Sequence, residues 1–222
     1  MKTLIAGKGE IGDALGKVLA DYSPAFIDPP RGLFQDGEFD ILHICFSCST
    51  SDIELFISTV KEYQERFNPK YTVVHSTVPY GTCRKLGAIH SPVIGQHPHL
   101  EESIMTFPKF LAGDGASKVA DYFRRVGIKV ILFDAPETSE TGKLFLTEYY
   151  RECIEFAKRV KKYCEKHDLS FHEVYTIMNT AYNEGYEKLG YPEFRRPVLQ
   201  PIMTEMWGHC LLPNKELIKI DE

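Results

Sequence analysis

Hydrophobic residues in the first part of the chain alternate between short continuous runs and stretches with a helical period. The continuous runs are Thr3–Ala6, Ala25–Ile27, Asp40–Phe46, Tyr71–His75, Lys109–Ala112 and Ile128–Phe133. Between them, apolar residues recur at spacings of three and four, as in Ile11–Leu19, Ile53–Tyr63 and Ala116–Val126. The short runs predict buried strands and the periodic stretches predict helices. Regular alternation of the two predicts an α/β fold with a doubly wound, mostly parallel sheet.

The pattern changes at residue 136. Pro136 to His167 reads as one long helix with no internal proline, and a second helical segment, Leu169 to Leu189, begins with the capping box Ser170 and Glu173. We therefore predict a sheet domain over residues 1–135 and a small helical region over 136–222. The apolar face of the long helix is broader than one sheet edge would cover, which favours a homodimer.

A glycine-rich turn follows the first strand and opens the first helix. In the turn, Gly7 allows a tight bend, Gly9 leaves room for a pyrophosphate beside the backbone, and Gly12 lets helix and strand approach closely. Asp28 ends the second strand, where a carboxylate can bind ribose hydroxyls and repel a 2′-phosphate. This arrangement predicts a Rossmann-like, dinucleotide-binding domain that prefers NAD, with a glycine turn that binds no ligand as the alternative. The expected cofactor-binding residues are Gly7, Gly9, Glu10, Ile11, Gly12, Asp28, Ser47, Ser76 and Thr77.

Composition narrows the class of partner. A formal charge of −5 on 222 residues gives no reason to expect nucleic acid or an anionic membrane. The chain goes directly into a core strand, so we expect no targeting peptide and a cytoplasmic location. Cys45 and Cys48 form a C-x-x-C pair, and His90, His97 and His99 lie close in sequence. Neither group has the spacing of a complete metal site, so we predict no metal.

Four further stretches carry residues suited to chemistry. They are the loop Ser76-Thr77-Val78-Pro79-Tyr80-Gly81, a glutamate pair at Glu101 and Glu102 in a predicted loop after Pro98, Lys143 with Thr147 four residues on, and Gly208-His209-Cys210. Taken in this order with the glycine turn, they resemble the UDP-glucose/GDP-mannose dehydrogenase family of nucleotide-sugar 6-dehydrogenases. The resemblance extends over about residues 1–214. In that family the position of Thr147 is an asparagine, and that of Asn214 is an aspartate.

The resemblance implies a mechanism and a role for each residue. Such enzymes oxidise a primary alcohol to an acid with NAD, through a thiohemiacetal and a thioester on a cysteine. By position, Cys210 would be the nucleophile, Lys143 the cation that stabilises oxyanions, and Glu102 the acid/base group. Thr77 would orient water, and Thr147 would occupy the asparagine position. The substrate would be a sugar or nucleotide-sugar, altered if the chain is a shortened form that lacks the family's C-terminal nucleotide-sugar-binding domain.

Two other functions are compatible with the same residues. In a single-hydride dehydrogenase of the 6-phosphogluconate and hydroxyacid type, Lys143 would be the acid/base group and Cys210 would only pack. In a non-catalytic protein, the glycine turn would bind a dinucleotide without turnover. The number of NADH molecules formed per substrate separates the cysteine mechanism from the single-hydride mechanism. NAD binding without NADH formation indicates the non-catalytic protein.

Overall fold

A seven-stranded sheet forms the centre of the computed structural model, which describes residues 1–48, 52–95, 98–201 and 217. The strands are β1 (Thr3–Ala6), β2 (Ala25–Ile27), β3 (Ile41–Ile44), β4 (Tyr71–Val74), β5 (Ile89–His90), β6 (Lys109–Ala112) and β7 (Val130–Phe133). The helices are α1 (Glu10–Val18), α2 (Ile53–Phe67), α3 (Thr82–Leu86), α4 (Leu100–Thr106), α5 (Ala116–Arg125), α6 (Pro136–Lys166) and α7 (Met178–Lys188). The predicted fold class, a Rossmann-like sheet followed by a long helix and a small helical region, is confirmed.

The strand order is β2-β1-β3-β4-β5-β6-β7. Neighbours from β2 to β5 run parallel, β6 pairs antiparallel with β5, and β7 is parallel to β6. The sequence pattern predicted six strands and missed β5, which is only two residues long and lies in a stretch of turns. It also gave no sign that the last two strands reverse direction.

Strand residues alternate between two hydrophobic cores, one on each face of the sheet. Leu4 and Ala6 of β1 pack in a cluster with apolar residues of α2. Ile5, between them, packs in a second cluster with residues of α1, α4 and α5. Both faces of the strands are thus buried, which explains why the strand sequences are continuous apolar runs and do not alternate with polar residues.

The chain divides into two compact units within α6, between Leu144 and Phe145. The division lies inside the long helix, a few residues beyond the predicted domain boundary at 135/136. In the second unit, the chain passes from α6 into a wide helical turn at His172–Ile177 and then into α7. The amide of Glu173 donates a 3.3 Å hydrogen bond to the hydroxyl oxygen of Ser170, so one of the two bonds of the predicted capping box is present. None of the described helices is long and apolar enough to cross a membrane.

Candidate dinucleotide-binding site

The winding of the sheet reverses at β1 and β3. From β1 the chain crosses to β2 on one side, and from β2 it returns past β1 to β3 on the other. The connections on the two sides of this point diverge and leave a crevice beyond the carboxyl ends of the strands. Open α/β sheets bind ligands at such a switch point. The glycine turn, Ser47 and Ser76 all follow strands that end at this edge.

Close packing explains two of the three glycines in the turn. A Cβ on Gly12 would lie 1.9 Å from the carbonyl oxygen of Gly7, so α1 can start this close to β1 only without a side chain there. Gly7 has φ +94°, and its Cβ would lie 2.9 Å from the Phe46 nitrogen at the end of β3. The turn is therefore held tightly between two parallel strands, as the sequence predicts.

Gly9 differs from its neighbours because the space around it is open. No atom of the described residues lies within 4 Å of the position that its Cβ would occupy. Gly9 is also the N-cap of α1, and no described side chain caps this helix start. The first-turn amides, which begin at Glu10 and Ile11, point out of the helix toward this space. A phosphate placed there would meet amide donors and the positive end of the helix dipole.

Asp28 lies beside the glycine turn, at the end of β2. Its Oδ2 accepts a 2.8 Å hydrogen bond from the amide of Lys8 and lies 3.5 Å from Nε of Arg31. The Asp28 side chain is 12% exposed, whereas Arg31 is 63% exposed. The carboxylate is thus oriented by the turn itself, on the side of the crevice where a ribose next to the pyrophosphate would lie.

Ser76 links the ends of β3 and β4. Its hydroxyl donates a 2.5 Å hydrogen bond to the carbonyl oxygen of Phe46. Ser47, directly after Phe46, is exposed, and Thr77 is half-buried, so both can meet a ligand in the crevice. These residues follow strands on the opposite side of β1 from Asp28.

The reversal of β6 and β7 brings α6 to the same crevice. Because β7 runs opposite to β4, the chain leaves it at the far edge of the sheet, and α6 then runs back toward the carboxyl ends of the parallel strands. Successive turns of α6 contact successive segments of the first unit. Glu137 forms an ion pair with Arg84 of α3, and the Lys143 ammonium donates a 2.9 Å hydrogen bond to the carbonyl oxygen of Val93, after β5.

Glu140 lies between these two residues, and the sequence analysis did not single it out. Its side chain is fully buried, and it accepts hydrogen bonds of 2.7 Å from the amides of Gly81 and Cys83. Ser139 bonds His90 Nδ1 at 2.7 Å, and His90 Nε2 lies 3.3 Å from the carbonyl oxygen of Ser76. The one available signal was spacing, since Glu140 precedes Lys143 by three residues and so shares its face of the helix.

The other residues predicted for chemistry belong to other parts of the chain. Glu102 lies in α4 and not in a loop as the sequence suggested; its side chain is 81% exposed and 3.5 Å from His99 Nδ1. Thr147 is one turn beyond Lys143 on α6, past the division between the units. Cys210, with Gly208, His209 and Asn214, lies outside the described residues.

The histidines and the C-x-x-C pair are the residues considered as metal ligands from the sequence. Burial raises the pKa of Cys45 to about 12 and that of Cys48 to about 11, which keeps both thiols protonated at neutral pH. His90 is bonded within the protein as described above, His99 is at the surface, and His97 lies outside the described residues. Within the described ranges, no group of three or more histidine, cysteine or acidic side chains is placed to hold a metal ion.

Comparison with known proteins finds this fold in solved structures of dehydrogenases. No protein-family model matches the chain, and no curated protein is significantly similar to it. Among solved structures, the UDP-D-ManNAc dehydrogenase of Pyrococcus horikoshii aligns with a TM-score of 0.79 at 15% identity, over 98% of this chain and 64% of that one. GDP-mannose dehydrogenase of Pseudomonas aeruginosa aligns with 0.64 at 14%, over 80% and 56%.

A dehydrogenase named for a hydroxyacid also shares the fold. The 3-hydroxyisobutyrate dehydrogenase of Mycobacterium tuberculosis aligns with a TM-score of 0.61 at 15% identity, over 81% of this chain and 71% of that one. The likeness to nucleotide-sugar dehydrogenases expected from the sequence is thus found at the level of the fold. The chain spans less than two thirds of the length of the UDP-D-ManNAc and GDP-mannose dehydrogenases.

Proposed function

We propose that this protein is an NAD-dependent oxidoreductase that acts on an alcohol group of a small molecule, a sugar or nucleotide-sugar. The observation that carries the proposal is the glycine turn at the switch point, with open space at Gly9 and a carboxylate at Asp28 oriented by the Lys8 amide. The helix start at Gly9 offers amide donors and a positive dipole end for a phosphate, and the Asp28 carboxylate beside it offers acceptors for ribose hydroxyls. The dehydrogenase fold of the similar structures supports the same class.

For the chemistry, we propose the roles that the sequence motifs imply. The glycine turn and Asp28 would hold NAD, which would supply the hydride acceptor. Two molecules bound in turn would be needed, one for the oxidation of the alcohol and one for that of the thiohemiacetal. The Cys210 thiolate would add to the carbonyl carbon of the aldehyde. Water would then cleave the resulting thioester to release the acid and regenerate the thiol. The Lys143 ammonium would stabilise the oxyanions and Thr77 would orient water, with Thr147 as a neighbouring hydroxyl. The motif order gives proton exchange with that water to Glu102, although in this structure its side chain is exposed on α4.

Lys143 is also the residue that connects this proposal to its main alternative. The 3-hydroxyisobutyrate dehydrogenase similarity favours a second candidate, a single-hydride hydroxyacid dehydrogenase in which the lysine transfers the proton. In both candidate mechanisms, the hydrogen bond from Lys143 to the carbonyl oxygen of Val93 would hold the ammonium at the carboxyl end of the sheet. A dinucleotide-binding protein without turnover is the third possibility.

The deciding experiment measures binding and stoichiometry together. Calorimetric titration with NAD tests the cofactor site, and NADH absorbance with a panel of nucleotide-sugars, sugars and hydroxyacids tests turnover. Two NADH per substrate support the cysteine mechanism, and one supports the hydroxyacid candidate. NAD binding with no turnover favours the non-catalytic function, and no binding contradicts the whole proposal.

We also propose that the protein is a homodimer through the second unit. Large apolar side chains on α6 are exposed in the single chain: Phe145, Leu146, Tyr149, Tyr150, Phe156 and Tyr163 are each between 47% and 63% accessible. They extend over about five helical turns, and a monomeric soluble protein rarely exposes a continuous apolar surface of that length. A second copy of the same helix would cover it.

A further inference from the structure

Glu140 is an unusual residue to find inside a sheet domain. It lies on the second turn of α6 with none of its surface exposed. Both of its carboxylate oxygens accept backbone hydrogen bonds of 2.7 Å, Oε2 from Gly81 and Oε1 from Cys83. Burial raises the pKa of Glu140, and the two amide bonds act in the opposite direction. A buried carboxylate is costly unless such bonds compensate for lost water.

The two bonds fix the far end of the loop Ser76–Gly81. At its near end, Ser76 is bonded to the Phe46 carbonyl oxygen after β3. In the middle, Val78 is fully buried, and Gly81 adopts φ +80°. Thr77 therefore lies in a loop that is anchored on both sides of it. Glu140 is the anchor that comes from outside the strands.

The loop lies over the half of the crevice opposite to Asp28. The adenosine ribose of a dinucleotide belongs with Asp28, on the β2 side, and the pyrophosphate with the glycine turn. The other half of the dinucleotide must then extend over the ends of β3 and β4, where Ser76 and Thr77 are. Any effect of Glu140 should therefore act on that half alone.

We propose that Glu140 is a positioning residue for the nicotinamide half of the bound dinucleotide. It acts through the Gly81 and Cys83 amides, which hold the loop Ser76–Gly81 in place, and does not itself contact the ligand. This inference rests on the proposed function, since it requires that the crevice binds NAD.

Glu140→Gln tests the proposal because the side chain keeps its shape. The carboxamide nitrogen cannot accept a hydrogen bond, so one of the two amides loses its partner. We expect NAD affinity to fall at least fivefold, while the affinity for ADP-ribose, which lacks nicotinamide, stays within twofold of wild type. Glu137→Gln is the matched control: it makes the same change one turn earlier but removes only a contact to the Arg84 side chain, and both affinities should be unchanged.

The outcomes separate failure of this inference from failure of the proposed function. If wild-type protein binds neither NAD nor ADP-ribose, the proposed function fails. If wild type binds both and Glu140→Gln changes both equally, or neither, the function stands and the role of Glu140 is wrong.

A measurement on wild-type protein covers the case in which the variant does not fold. NAD, but not ADP-ribose, is expected to slow amide hydrogen exchange across residues 76–83. Equal exchange with the two ligands would overturn the proposal.

Discussion

The amide of Lys8 donates a 2.8 Å hydrogen bond to the carboxylate of Asp28, twenty residues further along the chain. The bond joins the glycine turn after β1 to the end of β2. It fixes one oxygen of the carboxylate and leaves the other directed to its surroundings, with Arg31 at 3.5 Å from the bonded oxygen. The Asp28 side chain thus bonds to the backbone of the glycine turn and places a negative charge beside it.

The charge of Asp28 should set the choice between NAD and NADP. For Asp28→Asn we expect NAD affinity to fall by a few-fold to tenfold and NADP affinity to rise, because the 2′-phosphate would no longer be repelled and Arg31 could bind it. Calorimetric titration with both cofactors measures the ratio. Asp36→Asn is the control: the Asp36 side chain, which pairs with Arg66, is 94% exposed, and the substitution should leave the ratio of the two affinities unchanged. Tighter binding of NADP than NAD by wild type would contradict the assignment.

Gly9 offers a test of the phosphate position that does not depend on stability. A Cβ at Gly9 meets no described atom and its φ is −81°, so Gly9→Ala should fold normally. The methyl group would occupy the space of the pyrophosphate, and we expect at least tenfold weaker NAD binding, a loss of more than about 1.4 kcal/mol. Gly185→Ala, another open glycine in a helix, should bind NAD as wild type does. Unchanged affinity for Gly9→Ala would place the cofactor elsewhere.

The thiols should differ in reactivity. Burial raises the pKa of Cys45, Cys48 and Cys83, and Cys164 is also buried, so these four should react slowly with iodoacetamide. We expect Cys210 to be alkylated fastest, with NAD changing its rate, and Cys153, which is half-buried, to serve as the internal reference. Peptide mass spectrometry over time gives all six rates.

The Cys210→Ser variant should lose net oxidation to the acid while its NAD affinity stays within a few-fold of wild type. An inert Cys210 in the native protein, or full activity in the variant, would exclude the covalent mechanism. Lys143 would then be the next residue to substitute.

Association should depend on the apolar face of α6. Light scattering at micromolar concentration is expected to give twice the 25.4 kDa mass of one chain. Tyr149→Glu places a charge in the middle of this face and should shift the protein to monomer. Leu55→Glu replaces a side chain on α2 that is 64% exposed, as Tyr149 is 63% exposed, and should leave the mass unchanged. A wild-type monomer would rule out the dimer.

Buried histidines predict a loss of stability in acid. Burial lowers the pKa of His43 and of His90 to about 3, from an ordinary value of 6.5. Between these values the unfolded chain binds protons that the folded protein does not, so stability falls as pH falls from about 6.5 toward 3. Each histidine adds a slope of roughly 1 kcal/mol per pH unit, and above pH 6.5 their contribution is constant.

Denaturant unfolding at several pH values measures this slope. His43→Gln should reduce it, whereas His99→Gln, which alters an exposed side chain, should not. Parallel curves for wild type and His43→Gln would show that His43 is protonated in the folded protein.

The arrangement of the glycine turn and Asp28 could be predicted from sequence because its geometry is local. The glycine turn occupies six consecutive residues, and Asp28 follows at the end of the next strand, so spacing alone places them together. Fold class and the long helix followed from periodicity for the same reason.

The second half of the crevice could not be predicted because it is formed by contacts distant in sequence. Glu140 reaches Gly81 across 59 residues, and its position depends on the reversal at β5 and β6. That reversal rests on a two-residue strand whose sequence, Ile89–His90, carries no periodic signal. Glu102 was misplaced because a pair of glutamates after a proline reads as a loop, whereas here they begin the helix α4.

The separation of 59 residues in sequence between Gly81 and Glu140 also sets the order in which the two are synthesised on the ribosome. The glycine turn and Asp28 leave the exit tunnel early and close to each other, while most of the protein is still to be made. The loop after β4 emerges long before the carboxylate that anchors it. In a nascent chain, the amides of Gly81 and Cys83 therefore gain their buried carboxylate partner only after α6 has been translated.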